Sequence, residues 1–250
     1  MKVKSTNPAE QKIIQRVYQA GQGHVFRFWD ELTESSRQKL LSQLAKIDFD
    51  LLEYFYMHLI KNSNVKSHQL SLEPVECITL PKSQEEEQKF ARAREVGEQA
   101  LREGRVAAFL VAGGQGTRLN FPGPKGKFPI TPVKNKSLFQ LHAEKILALS
   151  RKYGKTIPWY IMTSATNHDE TVEFFAANHY FGLNSPDVYF FQQAMVPALD
   201  ENGRLILDAK DHIFTNPNGH GGSLSALKES GALDDMRRRG IDLIFYFQVD

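Results

Sequence analysis

The stretch from Val106 to Lys127, VAAFLVAGGQGTRLNFPGPKGK, restricts this chain more than any other. Its first six residues are an apolar run, rich in β-branched and aromatic side chains, that suits a strand buried in a sheet. The run empties at once into Gly113, Gly114 and Gly116. Glycines at that place let backbone N–H groups converge on an anion at the strand's carboxyl end. Arg118, Lys125 and Lys127 add positive charge near the turn, and a loop of this design binds phosphate.

Composition narrows which phosphate. A formal net charge of +2 on 250 residues gives no support to a nucleic-acid or acidic-membrane partner. No apolar run reaches the roughly 20 residues that a membrane helix requires, and the polar start MKVKSTNPAEQK has no signal-peptide core. The single cysteine, Cys77, excludes an internal disulfide and fits a reducing compartment, so a cytoplasmic location is expected.

Along the chain, residues 1–82 are expected to form an amino-terminal helical arm and linker, and residues 83–250 a domain built around the glycine-rich turn. The arm shows helical spacing from Pro8 to about Ile60, with Asp48 as a cap between two helices and Phe26, Phe28 and Trp29 as packing anchors. Asn62 to Lys82 reads as a linker. Ser83 with Glu86 opens a helix through about Glu103 whose inner face is Phe90, Ala93, Gly97 and Leu101. Phe121 to Pro132 holds four prolines and is expected to be irregular. Ser137 with Gln140 opens the next helix; a strand at Ile157 to Thr163 and a helix from His168 to about Tyr180, with Val172, Phe175 and Ala176 inward, come after it. Short strands follow at Val188 to Phe191 and Arg204 to Leu207, then short helices from Ser223 and near Asp234 to Arg239, where the charges read as a solvated face. A last apolar strand runs from Ile241 to Asp250. Strands alternating with helices of this length imply a mainly parallel sheet covered by helices, a Rossmann-like α/β fold. The chain stops on that strand, so a fragment is expected.

Two common phosphate loops do not match. A Walker loop needs a lysine and then a Ser or Thr after its last glycine, and Gly113 to Arg118 has no lysine in that place. A dinucleotide fingerprint needs a third glycine where this chain has Leu119. The combination LVAGGQGTRL with PGPKGK instead resembles the nucleotide-binding signature of the UDP-sugar pyrophosphorylases. GQGHVFRFWDEL, SLFQLHAEKI, IPWYIMTS, FFQQAMVPAL, PNGHGGSLSAL and the terminal QVD resemble the UDP-N-acetylglucosamine pyrophosphorylase branch, in the family's order and over most of the chain.

That resemblance implies a nucleotidyltransferase, GT-A-like domain and a uridylyltransferase reaction. A sugar 1-phosphate oxygen attacks the α-phosphorus of UTP and pyrophosphate leaves, with Mg²⁺ as the cofactor. Such a transfer rests on positioning and charge neutralisation. By resemblance, Arg118 and Lys125 are the catalytic cations, and Ala112, Gly113, Gly114, Thr117, Gln193 and Gly219 bind the nucleotide. Gln193 would read uracil through its amide donor and acceptor. Asp250 would ligate the metal. The resemblance implies UDP-N-acetylglucosamine as the product and His220 as a sugar-binding residue; because His220 stands where the acetylamino-sugar branch usually has asparagine, a UDP-glucose or broad-specificity UDP-sugar pyrophosphorylase is the alternative. A non-catalytic nucleotide-binding fragment is the alternative of another class.

Overall fold

The computed structural model describes residues 3–61, 73–75 and 77–249. The arm contributes helices α1 (Pro8–Gln19), α2 (Glu34–Ala45) and α3 (Phe49–Phe55). Helix α4 (Gln84–Glu103) leads into strand β1 (Val106–Val111), followed by α5 (Leu138–Tyr153), β2 (Trp159–Thr163), α6 (His168–Ala177) and β3 (Val188–Gln192). Four short strands come next: β4 (Met195–Pro197), β5 (Leu207–Ala209), β6 (His212–Ile213) and β7 (Thr215–Pro217). Helices α7 (Ser223–Glu229) and α8 (Ala232–Arg238) and strand β8 (Leu243–Gln248) complete the order. Much of the expected linker, and Asp250, lie outside the described residues. Among those residues no helix is long and apolar enough to cross a membrane.

The chain divides into two compact units, Met1–Glu76 with Met195–Asn216, and Cys77–Ala194 with Pro217–Asp250. In the first, Asp48 caps α3 by accepting from Leu51 N at 3.0 Å. Phe26 is buried and stands edge-on to Trp29 at 5.4 Å, while Phe28 is half-buried with the Arg27 guanidinium over its ring. Residues 195–216, which the sequence places with the catalytic domain, pack with the arm. Gln22 donates to Gly203 O at 2.8 Å and accepts from Leu205 N at 2.9 Å, so a buried amide pairs with loop backbone that would otherwise be unpaired. The expected strand at Arg204 to Leu207 is replaced by a single bridge, Leu199 to Leu205, with regular pairing beginning only at Leu207.

The second unit holds a four-stranded sheet in the order β3-β2-β1-β8, with each neighbouring pair parallel. Side chains of a strand alternate between faces, so a strand apolar at every position needs cover on both. Ala108 and Leu110 of β1, with Trp159 and Ile161 of β2, enter one core with Phe139, Ala143 and Ile146 of α5 and Phe175 of α6. Ala107, Phe109, Tyr160 and Met162 enter a second core with Ala226 and Leu227 of α7 and Ala232 and Met236 of α8.

Several expected details change. Helix α4 forms, and Ser83 caps it by accepting from Glu86 N at 3.3 Å, but Phe90, Ala93 and Gly97 are exposed and only Ala100 is buried. Its apolar stripe lacks cover along most of its length among the described residues. Helix α6 ends at Ala177 rather than Tyr180, because His179, Tyr180 and Phe181 take left-handed backbone angles that a helix cannot continue through. Its buried positions are Thr171 and Phe175, and Ala176 faces out. The acidic and basic residues of α8 are more than a solvated face: Asp235 accepts from Tyr160 Oη at 2.7 Å and from Arg239 at 2.9 Å, and Arg239 reaches Asp187 at 2.8 Å. Burial opposes the Asp235 charge, but the hydrogen bonds from Tyr160, Arg239 and Arg238 hold its carboxyl below the usual range.

Candidate functional site

The register places all four strand ends on one edge. Val111 lies beside Met162 on one side and Gln248 on the other, and Met162 lies beside Phe191. Loops leaving those ends therefore meet, which is where ligands of open parallel sheets collect.

After Ala112, whose N–H donates to Met162 O at 2.7 Å, the chain doubles back on itself. Gly116 N donates to Gly123 O at 2.9 Å, Lys125 N donates to Gly114 O at 3.1 Å, and Gln115 bridges Pro124. This fold-back brings Lys125 beside Gly114, although they are eleven positions apart in sequence. The turn Lys125–Lys127 then lies against Phe139 so closely that a side chain at Gly126 would sit 2.1 Å from that ring. Thr117 and Arg118 occupy a short helical turn and are exposed.

Gly113 lies in contact with Gln193. A Cβ at Gly113 would lie 2.4 Å from Gln193 Nε2, a distance real atoms do not adopt, so the glutamine amide rests directly on the glycine backbone. Gln193 is 6% exposed, and its backbone N–H donates to Thr163 O at 2.8 Å. Nothing lies within 4 Å of a Cβ position at Gly114, so that face of the loop is open.

A second glycine segment comes to the same edge. Asn218 N donates to Ala194 O at 2.9 Å, next to Gln193, and Gly219 takes a left-handed φ of 63°. His220 Nδ1 is 2.5 Å from Tyr246 Oη, its Nε2 is 3.1 Å from Gln248 Nε2, and Ser223 Oγ is 3.2 Å from the same tyrosine oxygen. With the Gln248 amide so oriented, its N–H donates to Nε2, which leaves the proton on Nδ1 to be donated to Tyr246.

The sequence reading places positive charge on Lys127, but Lys127 Nζ pairs with Glu170 Oε1 of α6 at 2.5 Å. That charge is spent within the fold. Sequence reasoning also passed over Ser164, Asn167, Tyr246 and Gln248. The signal for Asn167 was its position, an asparagine just ahead of a helix in the turn that leaves a central strand. For Tyr246 and Gln248 it was their spacing of two on one strand. Val249 O accepts from His142 Nε2 at 3.1 Å, so the end of β8 is tied to α5. Burial pulls the His142 imidazole below its usual range, against this hydrogen bond, which pulls the other way, and the charge of Lys145 adds a smaller pull downward.

Comparison with known proteins now bears on this edge. A family model described as UTP--glucose-1-phosphate uridylyltransferase matches residues 51–250. The chain belongs to the UTP--glucose-1-phosphate uridylyltransferase family. Within that family it is 36% identical over 242 residues to a probable UDP-N-acetylglucosamine pyrophosphorylase of Dictyostelium discoideum, covering 92% of this chain and 49% of that protein. A probable UDP-N-acetylglucosamine pyrophosphorylase of Schizosaccharomyces pombe is 39% identical over 222 residues, covering 85% of this chain and 46% of that protein. The solved UDP-N-acetylglucosamine pyrophosphorylase of Trypanosoma brucei, in complex with inhibitor, superposes with a TM-score of 0.75 at 29% identity, over 98% of this chain and 52% of that one. The chain spans about half the length of the relatives it matches.

Proposed function

We propose that this chain carries the nucleotide half of a uridylyltransferase that makes UDP-N-acetylglucosamine and pyrophosphate from UTP and N-acetylglucosamine 1-phosphate. The observation that carries the reading is the seating of the buried Gln193 amide on Gly113. A base-reading amide and a phosphate-binding turn in contact are what a pyrimidine nucleotide needs, since its base and its phosphates are joined through one sugar. Uracil offers a donor and an acceptor on one edge, which a single carboxamide can pair with. The Gly113 and Gly114 backbone, with Ala112 and Thr117 flanking it, would face the phosphates.

In this reading Arg118 and Lys125 neutralise the negative charge that grows on pyrophosphate as it leaves, and the loop amides hold the α-phosphate in line with the attacking oxygen. Gly219 would contact the base through its backbone, and His220 would face the sugar phosphate. Mg²⁺ is the ion this reading calls for. It takes one or two carboxylates together with phosphate oxygens and water, so it needs no cluster of three acidic or imidazole groups, and the described residues contain none. Asp250, next in sequence to the buried Val249, would hold it, and the ion when bound supplies charge neutralisation on the phosphates. A cytoplasmic setting is supported by the single, exposed Cys77.

Calorimetric titration of the chain with UTP, CTP, GTP and ATP in the presence of Mg²⁺ tests the nucleotide half. Selective UTP binding that weakens in both Lys125→Ala and Gln193→Ala is the expected result, and equal affinity for all four nucleotides would reduce the site to a generic phosphate loop. One observation favours a second sugar. His220, held by Tyr246 and Gln248, presents a rigid imidazole where the acetylamino-sugar branch usually has asparagine, which suits glucose 1-phosphate or a broad range. Pyrophosphate release with each sugar 1-phosphate separates the two.

A further inference from the structure

Asn167 stands at the N-cap of α6 yet makes no side-chain hydrogen bond to that helix. An asparagine in this position ordinarily turns its oxygen onto the first helical amides. Here the carboxamide points the other way, and both its oxygen and its nitrogen are paired. Oδ1 accepts from Ser164 N at 2.9 Å, while Nδ2 donates to Ala112 O at 3.0 Å and to Gly114 O at 3.3 Å. The residue is 1% exposed, so these bonds form away from competing water. Giving up a helix cap in favour of two loop carbonyls is a local cost that something else must offset.

The geometry of the peptide unit says what is gained. In a planar trans peptide the carbonyl and the following N–H point in opposite directions. Drawing the Ala112 carbonyl inward turns the Gly113 N–H outward, and drawing the Gly114 carbonyl inward does the same to the Gln115 N–H. Among the described residues neither amide donates to another backbone group. A second tie from the same helix acts on the returning limb of the loop, where Lys127 pairs with Glu170 and Glu170 packs against Gly123.

We propose that Asn167 is a positioning residue for the glycine loop, aiming the Gly113 and Gln115 amides at the side on which the nucleotide phosphates bind. The ligand named here rests on the function proposed above, whereas the aiming of the loop does not. Preorganised donors matter because a displacement of about 1 Å in a group that holds a reacting substrate can cost on the order of 100-fold in rate.

The test uses Asn167→Asp and Asn167→Ser. The first keeps the size and the acceptor for Ser164 N but sets a carboxylate oxygen against two carbonyls; the second keeps one short donor. In either folded variant the backbone amide signals of Gly113, Gln115 and Gly116 should shift in the free protein. Affinity for UTP should fall by about tenfold, while affinity for uridine, which lacks phosphates, should stay within about twofold. Unchanged loop signals would overturn the proposal, and so would an equal loss of UTP and uridine, which marks a residue that only supports the fold. If the unaltered chain binds no UTP, the proposed function fails, and the loop signals still decide the role of Asn167. Should neither variant fold, the unaltered protein decides: slow solvent exchange of the Asn167 side-chain amide supports the arrangement, and fast exchange overturns it.

Discussion

Strands β2 and β8 flank the same central strand, pair with it in the same parallel sense, and are both apolar in sequence, yet they live in different surroundings. All five residues of β2 are buried, whereas Leu243, Ile244, Phe245 and Tyr246 of β8 are between 41% and 64% exposed. β2 has a strand on each side and helices over both faces. β8 is the edge of the sheet, and beside it opens an apolar groove of about 680 Å³ whose lining includes Leu101, His142, Ile146, Leu149, Phe245 and Phe247. An apolar run therefore states that a strand forms, while its neighbours in space decide how much water it loses.

The largest effect should come from the covered strand. Trp159→Ala removes a side chain with no exposure and leaves a cavity between α5 and α6, at an expected cost of about 3–5 kcal/mol in denaturant unfolding. Tyr160→Phe should cost less, about 1–2 kcal/mol, because it deletes the hydrogen bond to Asp235 while Arg238 and Arg239 still hold that carboxylate. Tyr246→Phe, on the open strand, should cost about 0.5–1 kcal/mol or less, since water replaces its bonds to His220 and Ser223. Phe245→Ser should be smaller again, within about 0.5 kcal/mol. If Phe245→Ser destabilised the protein as much as Trp159→Ala does, the β8 face would be covered in solution and the contrast would collapse.

His142 offers a pH test of the tie between β8 and α5. Its folded pKa lies below the unfolded value of about 6.5. In the interval between the two the unfolded chain binds more protons, so stability rises with pH there. The contribution is fully present above about pH 6.5 and is lost as the pH falls through the lower folded value. Melting curves from pH 5 to 8 should show this slope in the unaltered protein and lack it in His142→Phe.

Much of the candidate site was legible because its chemistry is local. The glycines, Arg118 and Lys125 lie within one short stretch, and a strand followed by such a turn has few uses. Gln193, Gly219 and His220 were legible only through the family resemblance, since a lone glutamine or loop histidine carries no spacing of its own. The structure brings Gly113, Gln193, Gly219 and His220 to one edge, and Lys125 joins Gly114 through the fold-back of the loop. Asn167 was overlooked because an asparagine before a helix carries no local sign of a distant partner, and only the position of the loop beside it turns the side chain away from the helix. Lys127 was misjudged for the same reason: its partner, Glu170, is 43 residues away.

The sequence by itself determined the long helices, the four strands of the parallel sheet, the glycine turn after β1 and the caps at Asp48, Ser83 and Ser137, because turns, caps and side-chain periodicity depend on residues a few positions apart. Tertiary structure alone decided which apolar faces are covered, which cation is neutralised, and that residues 195–216 pack with the arm. Those outcomes depend on groups brought together from distant parts of the chain, and no local pattern encodes the distance between them.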